Sequence, residues 1–141
     1  DEKKGHMLHN DSHKFESAFL GVEVPQNSSV MFHSLSGNKL GIWVAHGEGK
    51  FSLPYDEQHY NVVLKYAYDE YPGNPNGSDY SVAGIASKDG RHLAMMPHLE
   101  RACFPWNNAY YPLSRRERDE VTPWIEAFVN ARKWVEEKLG K

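Results

Sequence analysis

The chain has 141 residues, enough for one domain around one core. Its 40% apolar and 25% charged residues are ordinary globular values, and a net charge of −3 gives no electrostatic ground for a nucleic-acid partner. One cysteine, Cys103, excludes an intrachain disulfide; with no apolar run of about 18 residues and no secretion-type leader in Asp1-Glu2-Lys3-Lys4, this points away from a membrane and to the cytoplasm.

Residues 1–13 are polar and carry His6, His9 and His13, which reads as a flexible arm or the remnant of an upstream connection. Phe15–Val24 reads as a strand stopped by Pro25-Gln26-Asn27. Val30-Met31-Phe32 forms a short element before the turn at Ser36-Gly37-Asn38. Lys39–Ala45 is apolar enough to be a strand buried on both faces, and it ends in His46-Gly47-Glu48-Gly49. Val62–Tyr68, rich in Val and Tyr, is a further strand. Tyr71-Pro72-Gly73-Asn74-Pro75-Asn76-Gly77-Ser78 is an irregular loop, because proline, glycine and asparagine dominate it.

Val82–Ser87 and Arg91–Met96 flank Lys88-Asp89-Gly90. Asp-Gly between apolar runs predicts a hairpin, since both residues tolerate positive φ. The last element is a helix. Thr122 is its expected N-cap and Pro123 its first residue; Trp124, Phe128, Ala131, Val135 and Leu139 recur at helical spacing and are the expected core face, with Gly140 as the stop.

The second strand of the hairpin leads into Pro97-His98-Leu99-Glu100. Two residues apart on an extended backbone, His98 and Glu100 point to one side. A carboxylate so placed accepts a hydrogen bond from one imidazole nitrogen and leaves the other free as a base. Such pairs also arise by chance among eight histidines and 19 acidic residues. This one follows a strand and a proline, which places it on a loop at a strand's end.

Cys103 is the nearest nucleophile candidate, but its neighbours Ala102, Phe104, Pro105 and Trp106 are apolar and suit an inert, buried thiol. No Gly-X-Ser-X-Gly segment exists. His92, His98 and Glu100 make a poor metal set, since His92 lies six residues before His98 on the same strand. His46-Gly47-Glu48-Gly49 lacks a phosphate-loop lysine, and its glycines imply a tight turn or a close backbone approach. The aromatic residues Phe104, Trp106, Tyr110, Tyr111 and Trp124 read as packing.

Several segments in order resemble one family. They are Phe15-Glu16, Ala45-His46-Gly47-Glu48-Gly49, Tyr71-Pro72 with Asn74-Pro75-Asn76-Gly77-Ser78, Met95-Met96-Pro97-His98 with Glu100-Arg101, and Pro123-Trp124 with Phe128 and Asn130-Ala131-Arg132-Lys133. Together they resemble the glutaminase domain of the formylglycinamide ribonucleotide amidotransferases, or phosphoribosylformylglycinamidine synthases, of purine biosynthesis. The resemblance runs from about Asp11 onward. It implies a class I glutamine amidotransferase in which a cysteine attacks the side-chain amide of L-glutamine, forms a thioester and releases ammonia to a separate synthetase domain. It implies ATP and Mg²⁺ in that synthetase domain and no cofactor in this chain. It makes His98 the triad histidine and Glu100 the triad carboxylate. Ala18 stands where related sequences often carry arginine, and Leu99 where proline is common.

In this family the nucleophile precedes the histidine in a Gly-X-Cys-X-Gly-Cys turn, and residues 1–97 contain no cysteine. The expected fold is therefore α/β, or mixed α+β as a fragment: the second part of a three-layer glutaminase domain, several strands followed by a C-terminal helix. Residues 14–141 are its expected extent. The chain alone is expected to be inactive, to partner the upstream part of the same polypeptide, and to self-associate through exposed edges. The alternatives are a non-catalytic interaction module or the small separate glutaminase subunit of the same pathway.

Overall fold

The computed structural model describes residues 3–140. It is a mixed α/β fold whose strands all pair antiparallel. Among the described residues the strands are β1 (His6–Leu8), β2 (Glu16–Glu23), β3 (Lys39–His46), β4 (Lys50–Ser52), β5 (Asn61–Tyr66), β6 (Val82–Ala86) and β7 (Leu93–Met95). A short helix α1 (Leu113–Arg116) and a long helix α2 (Ile125–Leu139) complete the chain. The main sheet has five strands in the order β3-β2-β5-β6-β7, and β1 pairs with β4 in a separate ribbon.

β5 is the central strand, and it rather than β3 is buried on both faces: Val62, Val63 and Leu64 are all in the core. β3 was expected to be the doubly buried strand. It is instead an edge strand in which Ile42, Val44 and His46 alternate with less buried Gly41, Trp43 and Ala45. Strand order, which no run of apolar residues reveals, decides which strand is central.

The sheet curls. β7 and β3 lie at opposite ends of the strand order, yet His98, three residues after the end of β7, forms an antiparallel bridge with Trp43 of β3. Three residues of chain reach about 10 Å at most. The two edges must therefore come close together, and the inner face becomes an enclosed core. Val22, Ile42, Val44, Val63, Leu64 and Ala83 fill it, with Leu99, Ala102 and Cys103 from the segment after the bridge. A second cluster, Phe51, Leu53, Val62 and Val82, packs between the sheet and the β1–β4 ribbon side of the molecule.

The hairpin forms, although of its Asp-Gly pair only Gly90, and not Asp89, takes positive φ. Gly90 takes φ +73°, and a Cβ there would meet the Ser28 carbonyl at 2.1 Å, so only glycine fits the turn. Of residues 1–13, expected as a flexible arm or the remnant of an upstream connection, 1–2 lie outside the described residues and the rest contribute a strand and a buried side chain. β1 pairs with β4, and Asn10 is buried with its backbone N–H bonded to the Gly47 carbonyl. Three residues of strand and one buried asparagine carry too little pattern to be read in advance.

α2 ends at Gly140 in the left-handed conformation, whose N–H reaches the Glu136 and Glu137 carbonyls. Thr122 does not cap it: its hydroxyl donates to the Ala102 carbonyl, tying the helix entrance to the segment after His98. The helix is anchored by its first turns. Trp124 is buried against Phe32, with ring centroids 6.1 Å apart, and its indole N–H donates to the Gly41 carbonyl at 2.8 Å. Ala127 is buried, and Asn130 donates to the Met31 carbonyl and the Ser34 hydroxyl. The expected core residues Phe128, Val135 and Leu139 are instead 41%, 46% and 64% exposed, because no described element covers that stripe.

Trp124→Ala removes a fully buried ring and the indole bond to β3. It is expected to cost about 3–5 kcal/mol in urea unfolding, whereas Leu139→Ala at the exposed end of the same helix stays within about 0.5 kcal/mol.

Candidate functional site

β7 ends at Met95, and the Met96 N–H still bonds to the Ala83 carbonyl at 3.0 Å. Pro97 then interrupts the ladder, since it has no N–H to donate. The His98 N–H crosses to the Trp43 carbonyl at 2.7 Å, and a single 3₁₀ turn, Leu99–Arg101, follows. Leu99 points into the core and Glu100 out of it. This turn folds the Glu100 carboxylate back onto the His98 ring.

The two residues singled out from sequence thus meet. His98 Nδ1 lies 2.8 Å from Glu100 Oε1. An ionised carboxylate only accepts, so Nδ1 carries the proton and Nε2 keeps its lone pair. The side chains are 30% and 62% exposed, which leaves the ring accessible to a reacting group. Desolvation by itself raises the Glu100 pKa. The carboxylate's own backbone N–H, the His98 ring and the charges of His98 and Arg101 outweigh it and hold the carboxyl below its ordinary value. The arrangement can take up a proton at His98 Nε2 and stabilise the resulting imidazolium.

Cys103 is unsuited to attack. It is 5% exposed, its thiol donates to the Leu99 carbonyl at 3.3 Å, and burial, with the Glu100 charge, pushes the thiol pKa up. His92 is exposed and faces Asp89, and among the described residues no three His, Cys, Asp or Glu side chains converge on one point.

Sequence reasoning missed the buried polar network beside this turn. His46, at the end of β3, is 7% exposed. Asn76, fully buried, places its amide nitrogen 2.8 Å from His46 Nδ1 and 2.7 Å from Asn10 Oδ1, and accepts from the Tyr66 hydroxyl at 2.8 Å. Asn10 donates to the Lys14 and His46 carbonyls and accepts from the Gly49 N–H. A Cβ on Gly49 would meet Asn76 Nδ2 and His46 Nδ1 at 2.5 Å, so this glycine is required for a close approach. Four residues far apart in sequence thereby join the N-terminal segment, the 46–49 loop, β5 and the 71–78 loop. The advance signals were the glycine pair around Glu48 and the placing of His46 and Asn76 in segments that carry the family resemblance; Asn10 lay in the stretch read as an arm.

A profile described as the CobB/CobQ-like glutamine amidotransferase domain matches residues 1–135. The chain is 40% identical over 150 residues to an Arabidopsis thaliana protein named probable phosphoribosylformylglycinamidine synthase, chloroplastic/mitochondrial, covering 96% of this chain and 11% of that protein. It is 40% identical over 141 residues to the Homo sapiens phosphoribosylformylglycinamidine synthase, covering 92% of this chain and 10% of that protein. The chain therefore spans about a tenth of the curated relatives it matches. Among solved structures, that of PurLQS from Thermotoga maritima superimposes with a TM-score of 0.71 at 28% identity, over 94% of this chain and 54% of that one.

Burial lowers the His46 pKa from its ordinary 6.5; its own backbone opposes this, the charge of His98 adds to it, and the charge of Glu16 opposes it. The unfolded chain thus takes up a proton that the folded chain resists. The stability this ring contributes is complete above 6.5 and is lost as pH falls toward the lower folded value. Urea midpoints measured from about pH 7 to pH 5 are expected to decline, and His46→Gln, which cannot titrate, is expected to make that decline shallower.

Proposed function

The chain belongs to the CobB/CobQ-like glutamine amidotransferase domain family, and from that premise we propose that it carries the acid–base end of a glutaminase site whose nucleophile lies outside these residues. The hydrogen bond of 2.8 Å between His98 Nδ1 and Glu100 Oε1 supports this most directly. The substrate is the side-chain amide of L-glutamine. His98 Nε2 takes the proton of a cysteine thiol, and Glu100 stabilises the imidazolium. The thiolate adds to the amide carbon, and His98 returns its proton to the departing nitrogen as ammonia leaves. The same nitrogen then deprotonates a water, which cleaves the thioester to glutamate and restores the thiol.

The parent in this reading is a phosphoribosylformylglycinamidine synthase of purine biosynthesis, as the names of the relatives suggest. Ammonia would pass to its synthetase domain, where bound ATP and Mg²⁺ would supply the activation of the ribonucleotide amide. The long curated relatives favour the large single-chain form over a separate small subunit. A lone buried thiol suits a reducing compartment, and we place the protein in the cytoplasm on that ground. The exposed Phe128, Val135 and Leu139 stripe supports association of the isolated chain, either with itself or with the rest of its parent.

The isolated chain is expected to release no ammonia from glutamine. Joined to an upstream segment carrying the Gly-X-Cys-X-Gly-Cys turn, it is expected to do so, and His98→Ala in that protein is expected to lose at least about a thousandfold in kcat. Hydrolysis by the chain alone, or full activity of the His98→Ala protein, contradicts the proposal. In sedimentation the isolated chain is expected to run heavier than its 16.2 kDa monomer, and Phe128→Lys with Val135→Lys to return it toward monomer.

A further inference from the structure

The buried network fixes more than a loop, because its hydrogen bonds can be assigned a direction starting from the backbone. Asn10 Oδ1 receives the Gly49 N–H, which can only donate. Asn10 Nδ2 meets the carbonyls of Lys14 and His46, which can only accept. The orientation of the Asn10 amide is therefore unambiguous. The Asn76 atom 2.7 Å from Asn10 Oδ1 must then be a donor, which makes it Nδ2 and leaves Asn76 Oδ1 for the Tyr66 hydroxyl. The second hydrogen of Asn76 Nδ2 points at His46 Nδ1, 2.8 Å away. That ring nitrogen has to accept. The proton of the neutral ring sits on Nε2, and a second proton on Nδ1 would set donor against donor in a buried site.

We infer that Asn10 and Asn76 lock His46 as the uncharged, Nε2-protonated tautomer, a positioning residue that keeps a second positive charge away from His98. Two further observations support it. His46 Nε2 and Glu16 Oε1 are both buried without a partner among the described residues. They belong to residues directly paired across β2 and β3, so a donor on His46 stands on the same sheet face as a carboxylate acceptor. The groups whose charges reach the ring are His98, which disfavours a charged His46, and Glu16, which favours it. Tyr66 touches the network only through Asn76.

The role rests on the glutaminase reading above. His98 must hold a proton while the thiolate attacks, and the charges of the two rings act against each other, so a cationic His46 would disfavour that proton. A neutral lock leaves His98 as the proton carrier and Nε2–H of His46 as a fixed donor.

Imidazole ¹H–¹⁵N spectra of the isotopically labelled chain test the lock without any catalysis. His46 is expected as a single Nε2–H tautomer that is still mostly neutral at its ordinary pKa of 6.5. An Nδ1–H tautomer, or a His46 ring half protonated at 6.5 or above, overturns the inference. Asn76→Asp replaces the donor with a carboxylate that calls for Nδ1–H, and its His46 is expected to show that proton in the same spectra; a ring that stays Nε2–H alone overturns the inference. In the nucleophile-complete protein His46→Gln offers an oxygen to Asn76 and an N–H in place of Nε2–H, carries no charge, and is expected to keep the alkaline limb of the kcat/KM profile in place; a limb that moves overturns the inference. Absence of glutamine hydrolysis in the complete protein, with the spectra as expected, overturns the glutaminase reading and leaves the tautomer assignment standing.

Discussion

The hydrogen bond from the His98 N–H to the Trp43 carbonyl, 2.7 Å long, is the contact on which the rest of the structure turns. It joins the residue after Pro97 to the opposite edge of the five-stranded sheet. Without it β3 and β7 are two open edges; with it the sheet closes on its own apolar face. Leu99 is drawn into that core, and the 3₁₀ turn it anchors sends Glu100 back to the His98 ring. The outer side of β3 is held as well, by the Trp43 indole bonded to the Asn107 carbonyl and the Trp124 indole bonded to the Gly41 carbonyl. Fold closure and dyad geometry are therefore one event. A residue that weakens the closure moves the His98–Glu100 pair with it.

The polar network and the dyad divide two kinds of histidine. His98 is part-exposed with a carboxylate on Nδ1, which leaves Nε2 with its lone pair. His46 sits inside with an amide donor on Nδ1, which disfavours a second proton on the ring. The same side chain is thus set to opposite tasks by what faces one nitrogen. Burial acts in the same direction for His46, and it also disarms Cys103, whose thiol is raised rather than lowered.

Local features were legible in the sequence. The Asp89-Gly90 hairpin and the Gly140 helix stop follow from neighbours within a few residues, whereas His98 and Glu100, expected to share a side on an extended backbone, are brought together by the 3₁₀ turn Leu99–Arg101. What required distant partners was not. β3 looks like a central strand until β5 is seen to hold that place. Thr122 looks like a cap until its hydroxyl is seen to serve Ala102. Phe128, Val135 and Leu139 keep a core-like spacing although nothing described here covers them. Asn10 and Asn76 are 66 positions apart, and their value lies wholly in each other and in His46. The ordered set of short segments was informative about family because it sampled these distant pieces together.

The central claim is that His98 and Glu100 serve a thiol that lies outside these residues. Trapping the acyl-enzyme with isotopically labelled glutamine, in the protein that carries both this chain and its upstream segment, tests it most directly. After acid quench and proteolysis, mass spectrometry is expected to find the glutamyl label on a cysteine of the upstream segment and none on Cys103. A glutamyl adduct on Cys103 would contradict the account.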